Sequence, residues 1–410
     1  DTYIHMAMAK NIAAHGTWGV TPYEFTSTSS SILYQIVLSS AFWLSGPNPL
    51  VPLAINLVAA VLVLLSLDWV GRQWDWGGRL RAVFLVGAVF LIPLPALVVS
   101  GMEHVVQILI AVWFVYLLSR QFDEDGPVWS GFWLSAVGVL TTAIRYEGFF
   151  MVAAAASLLF WTGRRSLSVV LAVVSAIPAV IYGIASVSLG WYVVPNSVFF
   201  KSRKPSRSIA GILKYLQDFF HDYFVEALHL TLLTAALVGA LWYLTRRRGE
   251  KLSERVPAML ALVVLTSLMH IVLAKVGWLF RYEAYIVAIG LLVLTEFAHA
   301  YWHSVADFTW LHASRRMRFL ASLGVLALVL PFLARAGLAL NHPVRASRNI
   351  YHQQYQTATL MKRYYPHGSL VTMDIGAVCF LPDSVRLTDM WALADMDMTR
   401  LIRQDRFDAA

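Results

Sequence analysis

The residues of this chain that could do chemistry are acids and cations at the ends of long apolar runs. Asp1 opens the helix-compatible stretch DTYIHMAMAKNIAAHG, and His5 lies one helical turn later on the same face. Glu103 begins one apolar run within SGMEH, whereas Arg145 and Glu147 end another within TTAIRYEG. Because ionisable groups at membrane depth are costly and usually paired or functional, these positions indicate a site.

Two further segments offer cations that could bind phosphate. In WYVVPNSVFFKSRKP, Pro195 breaks a helix, Asn196 lies in a turn, and Lys201 follows with more cations behind it. In WLFRYEAY, Arg281 has aromatic and acidic neighbours like those of Arg145. A guanidinium group can bind two phosphate oxygens at once, so Arg281 is a candidate for phosphate contact.

Each of these residues also has a structural interpretation. Asp1 could simply cap a helix start, and Glu103 could cap its helix and complement the helix dipole. Asp1 with His5 or Glu103 could instead ligate a divalent cation, although two ligands alone are a weak metal signal. The sequence does not require a metal.

The composition defines the scaffold that must position these groups. Of 410 residues, 58% are hydrophobic and 14% charged, which excludes an ordinary soluble domain with a charged share of about 25%. The net charge of +8 does not indicate nucleic-acid binding, because Lys and Arg occur in small groups between apolar runs. A single cysteine, Cys379, excludes an intrachain disulfide and a multi-thiolate metal site.

The apolar runs predict an all-α polytopic membrane protein with about ten spans, since a crossing helix needs about 20 apolar residues. Segments 1–16 and 29–45 are too short or too polar to span, and we expect helices there that lie at the membrane interface. We also expect one more span upstream of Asp1. The predicted spans are 50–71, 80–99, 104–120, 129–144, 149–162, 166–189, 224–245, 256–275, 282–302 and 318–337.

The basic residues of the short loops predict how these spans face. They fall in alternate loops, which the positive-inside rule assigns to the cytoplasm. The candidate acids and the aromatic residues near them then share the extracytoplasmic face. A group of cations on that face violates the rule and indicates anion binding: Lys201, Arg203, Lys204, Arg207 and Lys214.

Three domains are predicted: a first extracytoplasmic loop with interfacial helices at 1–49, a transmembrane domain at 50–340, and an extracytoplasmic α/β portion at 341–410. In the last, SLVTMD, AVCFLP and VRLTDM are predicted as short strands. Because a stretch as short as 341–410 makes a poor independent core, we expect it to be a truncated domain. Asp374 and Asp389 could contact an acceptor, although such aspartates more often form turns.

Taken in order, the stretches DTYIHMAMAKNIAAHGTWGVTP, SGMEH, TTAIRYEG, VVPNSVFFK and FRYEAY resemble bacterial integral membrane glycosyltransferases of the GT-C fold. Within that fold they resemble the group that includes mycobacterial arabinofuranosyltransferases, which take a sugar from a polyprenyl-phosphate carrier. It extends to VTMDIGAVCFLPDSVRLTDMWALAD at 371–395, which is similar to the start of that group's C-terminal extracytoplasmic portion. The resemblance covers nearly the whole chain, and each motif is moderately specific at most.

The resemblance implies an enzyme of the bacterial cytoplasmic membrane whose active site faces the extracytoplasmic side. Such an enzyme moves a sugar from a polyprenyl-phosphate carrier to a cell-envelope glycan or lipid acceptor. In the family an acid of the first outer loop is the catalytic base, and Asp1 matches this position through its neighbours. Arg145 and Lys201 fall where the family binds the donor or its leaving group. The portion at 341–410 is expected to bind the acceptor glycan.

Two other classes of function remain open. A transporter or flippase of a lipid-linked precursor would also have many spans and intramembrane charges, but the sequence has no obvious internal repeat. A noncatalytic membrane scaffold would tolerate the loss of Asp1. Within the enzyme class, mannosyl, aminoarabinose or oligosaccharide transfer would use the same architecture.

Overall fold

The computed structural model of the protein describes residues 2–123, 129–201, 209–306, 315–383 and 385–403. These residues are mainly helical. In chain order the helices are α1 (Thr2–His15), α2 (Ile32–Ser45), α3 (Leu50–Gln73), α4 (Gly78–Leu91), α5 (Leu94–Ser100), α6 (His104–Ser119), α7 (Trp129–Ile144), α8 (Gly148–Trp161), α9 (Arg165–Ser188), α10 (Asn196–Lys201), α11 (Ile209–His221), α12 (Leu228–Trp242), α13 (Arg255–Leu273), α14 (Ala284–Ala306), α15 (Arg315–Ile350), α16 (Gln356–Tyr364), α17 (Gly376–Phe380) and α18 (Met396–Arg403). The strands are β1 (Ser369–Thr372) and β2 (Arg386–Asp389), and short π-helical segments are Asp222–Glu226, Tyr243–Arg248 and Tyr351–Tyr355.

Six of the described helices are long and apolar enough to cross a membrane, or seven if α4 and α5 form one bent span. This confirms the coarse prediction of a helical, multi-pass membrane protein. Every predicted span falls on helical residues, but the span 80–99 is divided between α4 and α5, and α6, α7 and α8 are apolar helices of 14–16 residues. The count of ten spans therefore stays a prediction, as does the interfacial position of α1 and α2.

The bend between α4 and α5 has an identifiable cause. The two helices meet at 46°, next to Pro93, whose φ of 24° is not helical. In a continuous helix the carbonyl of Leu91 would accept the N–H of residue 95, but Pro95 has none. Arg335 of α15 supplies the missing donor, since its Nη1 lies 2.8 Å from the Leu91 oxygen. A buried cation thus fixes the bend.

Two clusters of buried hydrophobic side chains hold these elements together. The larger lies among helices of the segment from α3 to α15 and includes Phe114, Tyr285 and Phe332. The smaller joins α1 and α2 to the C-terminal part of the chain through side chains such as Met6, Tyr34 and Phe380. This second cluster sits where α6 begins and α7 ends, which we call the site end of the protein.

The C-terminal part contains a small parallel sheet. β1 and β2 pair with Leu370 opposite Leu387, so two of the three predicted strands are confirmed. The prediction that AVCFLP is a strand was wrong, because residues 376–380 form α17. Parallel neighbours need a crossover connection, and α17 provides it, buried against α1. A side chain at Gly376 would meet Tyr3 Cβ at 3.0 Å, so this glycine permits the close approach.

One buried lysine joins α1 to this C-terminal part. Lys10 Nζ donates to the carbonyl oxygens of Phe380 (2.7 Å) and Pro382 (2.8 Å) and lies 3.6 Å from a carboxylate oxygen of Asp383. Burial lowers the pKa of the Lys10 ammonium below its ordinary value, and the nearby Asp383 opposes this effect only in part. The predicted domains 1–49 and 341–410 therefore pack together, and α15 runs through the boundary predicted at 340.

We expect Lys10→Met to loosen the C-terminal part without disrupting the membrane helices. The substitution removes the donor of two carbonyl groups, which costs about 1–3 kcal/mol when they stay buried. Hydrogen exchange of residues 376–383 should become faster in the variant. Lys362→Met is the matched control, because Lys362 is exposed on α16. Equal exchange rates in wild type and Lys10→Met would contradict the assigned role.

Candidate functional site

A buried ion-pair triad lies at the site end. Glu103 precedes the first residue of α6, and Arg145 follows the last residue of α7. Arg145 Nη1 donates to Glu103 Oε1 at 2.5 Å, while its Nη2 and Nε donate to Glu147 at 2.5 and 3.1 Å. The Arg145 and Glu103 side chains are 4% and 1% exposed. Three residues predicted separately from the sequence are therefore brought together.

All three members of the triad are charged. Burial alone would raise the pKa of both carboxyl groups, because it disfavours the ionised form. For Glu103 the electrostatic interactions with His104, His5 and the Arg145 guanidinium outweigh burial, so its pKa is well below the ordinary range. For Glu147 the bidentate Arg145 lowers the pKa to about 2. Burial lowers the Arg145 pKa, but the two carboxylates more than compensate and raise it.

His5 connects this triad to α1. Its Nε2 lies 3.4 Å from Glu103 Oε2, and its Nδ1 lies 2.5 Å from Gln35 Nε2. At the start of α1, the Thr2 hydroxyl donates to the carbonyl oxygen of Ser100, beside the turn that carries Glu103. The first turn of α1 is thus held directly against the buried carboxylate.

The predicted base, Asp1, lies outside the described residues. Its sequence neighbour Thr2 is described and makes the contact to Ser100 given above. A side chain added at Gly101 would meet Thr2 Cγ2 at 2.8 Å, so the backbone passes very close to the start of α1 here. His5 and Glu103, which the sequence offered as alternative partners of Asp1, contact each other at 3.4 Å.

The turn before α14 has a strained backbone. Gly277, Trp278, Leu279 and Phe280 have φ angles of 78°, 45°, 62° and 63°. Left-handed conformations cost residues other than glycine about 1–2 kcal/mol each, and they persist where the surroundings impose them. Strained backbone of this kind concentrates at functional sites. The turn delivers Arg281, the predicted phosphate ligand.

Arg281 and Arg145 converge on one aromatic ring. Their guanidinium carbons lie 5.2 and 5.6 Å from the centroid of Tyr282, within cation–π range. Arg281 Nη1 also contacts Met102 Sδ at 2.6 Å. Two predicted phosphate ligands are thus neighbours, and both are buried, at 3% exposure each.

A second buried ion pair clamps the strained turn. Glu283 Oε2 accepts the N–H of Gly277 at 3.0 Å, and Glu283 Oε1 lies 3.2 Å from Arg335 Nη2 and 3.4 Å from His229 Nε2. Arg335 Nη2 also donates to the Phe280 carbonyl at 2.7 Å. The pair therefore holds both the start and the end of the left-handed turn. Through that turn it positions Arg281.

Lys201 is the last residue of α10, and its side chain lies outside the described part of the structure. The turn that precedes α10 is firmly held. The backbone N–H of Asn196 donates to the carbonyl oxygen of Ser27. The side-chain amide of Asn196 donates to the carbonyl oxygen of Ala392 (2.9 Å) and to Thr399 Oγ1 (2.8 Å). The Lys201 segment is therefore attached to both the Ser/Thr-rich loop after α1 and the C-terminal part.

The two predicted acceptor contacts have different surroundings. Asp374 is exposed. Asp389 is buried, and its carboxylate accepts the backbone N–H groups of Trp391, Leu393 and Ala394 at 2.8–2.9 Å. These bonds favour the turn-forming interpretation of Asp389.

The described residues contain no group of three or more His, Cys, Asp or Glu side chains arranged to hold a metal ion. The Glu103 oxygens face Arg145 and His5 instead. A divalent cation held with Asp1 remains a prediction, because Asp1 is outside the described part.

Four residues of the site are not predicted from the sequence: Gln35, His104, Glu283 and Arg335. One signal was present: Arg-Tyr-Glu occurs twice, at 145–147 and at 281–283, each time at a helix boundary. A second signal was Arg335 itself, a lone cation within the apolar stretch LVLPFLARAGLAL. Neither pattern identifies the partner of each charge, which depends on tertiary packing.

Comparison with known proteins adds one finding. A family model described as a domain of unknown function, DUF8728, matches residues 348–409, which include the sheet and α17. No curated protein and no solved structure matches the chain.

Proposed function

We propose that the protein is a GT-C-type membrane glycosyltransferase that moves a sugar from a polyprenyl-phosphate carrier to a cell-envelope glycan or lipid. The main support is the convergence of chain segments that are far apart in sequence. His5, Glu103, Arg145 and Arg281 come from four segments and meet at one end of an apolar helical body. The proposal places that end at the extracytoplasmic face of a bacterial cytoplasmic membrane.

The reaction proposed is a single displacement. The acceptor hydroxyl oxygen forms a bond to the anomeric carbon as the bond from that carbon to the phosphate oxygen breaks. Asp1 takes the hydroxyl proton, the configuration inverts, and polyprenyl phosphate leaves with the bonding electrons. General-base assistance contributes about 10²–10⁴ in rate. The prenyl chain stays among the apolar helices while the phosphosugar meets water.

The leaving phosphate gains negative charge, so a fixed cation beside it stabilises the transition state by about 3 kcal/mol. Arg281 is our first candidate, because the turn that delivers it is strained and clamped. Lys201 is the second. Arg145 already binds two carboxylates, so direct phosphate binding would require it to release one. Its more immediate role is to fix Glu103, and through His5 the first turn of α1.

The C-terminal part is proposed to bind the acceptor, because it packs on α1 and on the Lys201 segment. Asp374 is the better candidate contact, since it is exposed and Asp389 is engaged with backbone. Which sugar is moved is left to experiment, with arabinofuranose, mannose and aminoarabinose donors as the first panel.

We expect Arg281→Ala and Lys201→Ala each to reduce kcat/KM for a synthetic polyprenyl-phosphate sugar about 100-fold, since each removes a cation from the leaving phosphate. Arg281→Lys should retain more activity than Arg281→Ala but less than wild type, because an ammonium lacks the two-pronged contact. The measurement is radiolabelled sugar transfer by protein reconstituted in lipid nanodiscs.

Arg246→Ala is the control for lost charge, since Arg246 is an exposed arginine beyond the end of α12, whereas His229 of the site lies at the start of that helix. It should transfer sugar at the wild-type rate. The phosphate assignment would be wrong if folded Arg281→Ala and folded Lys201→Ala transferred sugar at the same rate as Arg246→Ala. Passage of intact donor across proteoliposomes without sugar transfer would favour the transporter instead.

A further inference from the structure

A groove lies between α7 and α9, at the end of the protein opposite the candidate site. It encloses a cavity of about 740 Å³. The groove exists because α7 presents small side chains, Gly131, Ser135 and Ala136, toward Leu167 and Val170 of α9. Its lining comes from the residues that directly follow α6, the first three turns of α7 and the start of α9, whereas the triad lies where α6 begins and α7 ends.

The lining changes from polar to apolar along the groove. Arg120, Gln121 and Arg164 stand at its mouth, and Val139 and Val174 line its far end. From residue 130 to residue 139, α7 rises by about 14 Å at about 1.5 Å per residue. That is about half of the roughly 30 Å hydrocarbon thickness, so the groove reaches through one leaflet only. A polar mouth with an apolar slot of this depth fits an amphiphile of that leaflet.

The charge of the mouth favours an anionic headgroup. Arg120 Nη1 lies 2.8 Å from a carboxylate oxygen of Asp123, and this ion pair offsets part of the positive charge of Arg120. Among the described residues no carboxylate pairs with Arg164, whose guanidinium lies 5.6 Å from the Phe122 ring centroid. Two arginines and one aspartate leave the described lining with one excess positive charge.

We infer that this groove binds one anionic glycerophospholipid of the adjacent leaflet. Its phosphate lies at Arg164 and Arg120, with Ser130 and Ser166 beside it, and one acyl chain lies between α7 and α9. The inference does not depend on the proposed glycosyl transfer, because the groove shares no residue with the candidate site. The lipid is a structural ligand of the helix pair.

The test is competitive lipid retention measured by native mass spectrometry. Protein is equilibrated with equal amounts of phosphatidylglycerol and phosphatidylcholine and then released from its detergent micelle. We expect one retained phosphatidylglycerol in clear preference to phosphatidylcholine. Arg164→Ala should lower that preference about fivefold, the effect of one cation near a lipid headgroup. Arg246→Ala, which removes an arginine outside the groove, should leave it unchanged.

A second variant tests the acyl slot. Ala136→Phe should fill the groove and reduce retention of both lipids, with the same unfolding temperature as wild type or a higher one. Equal retention of the two lipids by wild type would overturn the inference. So would an Arg164→Ala variant with the wild-type preference, or Ala136→Phe with undiminished retention.

Discussion

Asp1→Asn should lower kcat for sugar transfer by about 10²–10⁴, the usual contribution of a general base, while the protein stays folded. An amide has the size and polarity of the carboxylate but cannot take the acceptor proton at neutral pH. The buried contacts around the start of α1 belong to Thr2 and His5, and the substitution leaves both side chains intact. The measurement is single-turnover transfer in nanodiscs at saturating donor.

Asp397→Asn is the matched control for this result. Asp397 is in α18, its side chain is 89% exposed, and it contacts Arg400 at 3.3 Å. This variant should turn over at the wild-type rate. Wild-type turnover by folded Asp1→Asn would exclude Asp1 as the base. Glu103 and Glu147 are poor replacements for it, because both are ion-paired with Arg145.

Arg145→Met should destabilise the protein by about 3–5 kcal/mol, because removal of one partner from a buried ion pair leaves an uncompensated charge. Two ionised carboxylates, Glu103 and Glu147, would then share a buried space without their common cation. The expected observation is a much lower unfolding free energy in a denaturant titration, with loss of the native contacts of α1. Activity should fall with the folded fraction.

The triple variant Arg145→Met/Glu103→Gln/Glu147→Gln separates charge from packing. It removes all three charges, so it should recover a large part of the stability that Arg145→Met loses. Arg72→Met provides the surface comparison, since the Arg72–Asp68 pair has side chains 61% and 26% exposed. Exposed pairs contribute about 0–1 kcal/mol. If Arg145→Met cost no more than Arg72→Met, the triad would not be the structural centre of the site.

The helical body was predictable because apolar length and charged boundaries are local properties of sequence. Arg145 and Glu147, for example, end an apolar run, and the structure ends α7 at Ile144. The bend at Pro93 was not predicted, because the apolar composition of residues 80–99 is the same for one straight helix and for two helices that meet at an angle. The helix at 376–380 was missed because its apolar residues suit a buried strand equally well. Only the parallel pairing of its flanking strands distinguishes the two.

Only some members of the site were predictable from the sequence, and their pairing was not. Both Arg-Tyr-Glu triplets have the same local sequence, yet Arg145 binds its own Glu147, whereas Glu283 binds Arg335 from α15. The difference follows from the left-handed turn before Arg281, which contains three non-glycine residues with positive φ. No local propensity favours such a turn. It depends on distant partners that the sequence pattern does not reveal.

The most direct test of glycosyl transfer uses a donor with one isotope in the sugar and another in the prenyl chain. Reconstituted protein is incubated with this donor and envelope glycan acceptors, and products are analysed by mass spectrometry. We predict that the labels separate, with glycosylated acceptor and free polyprenyl phosphate formed in equal amounts, and that Asp1→Asn prevents the separation. Labels that stay joined with every donor in the panel, or cross the bilayer together on intact donor, would contradict the proposed function.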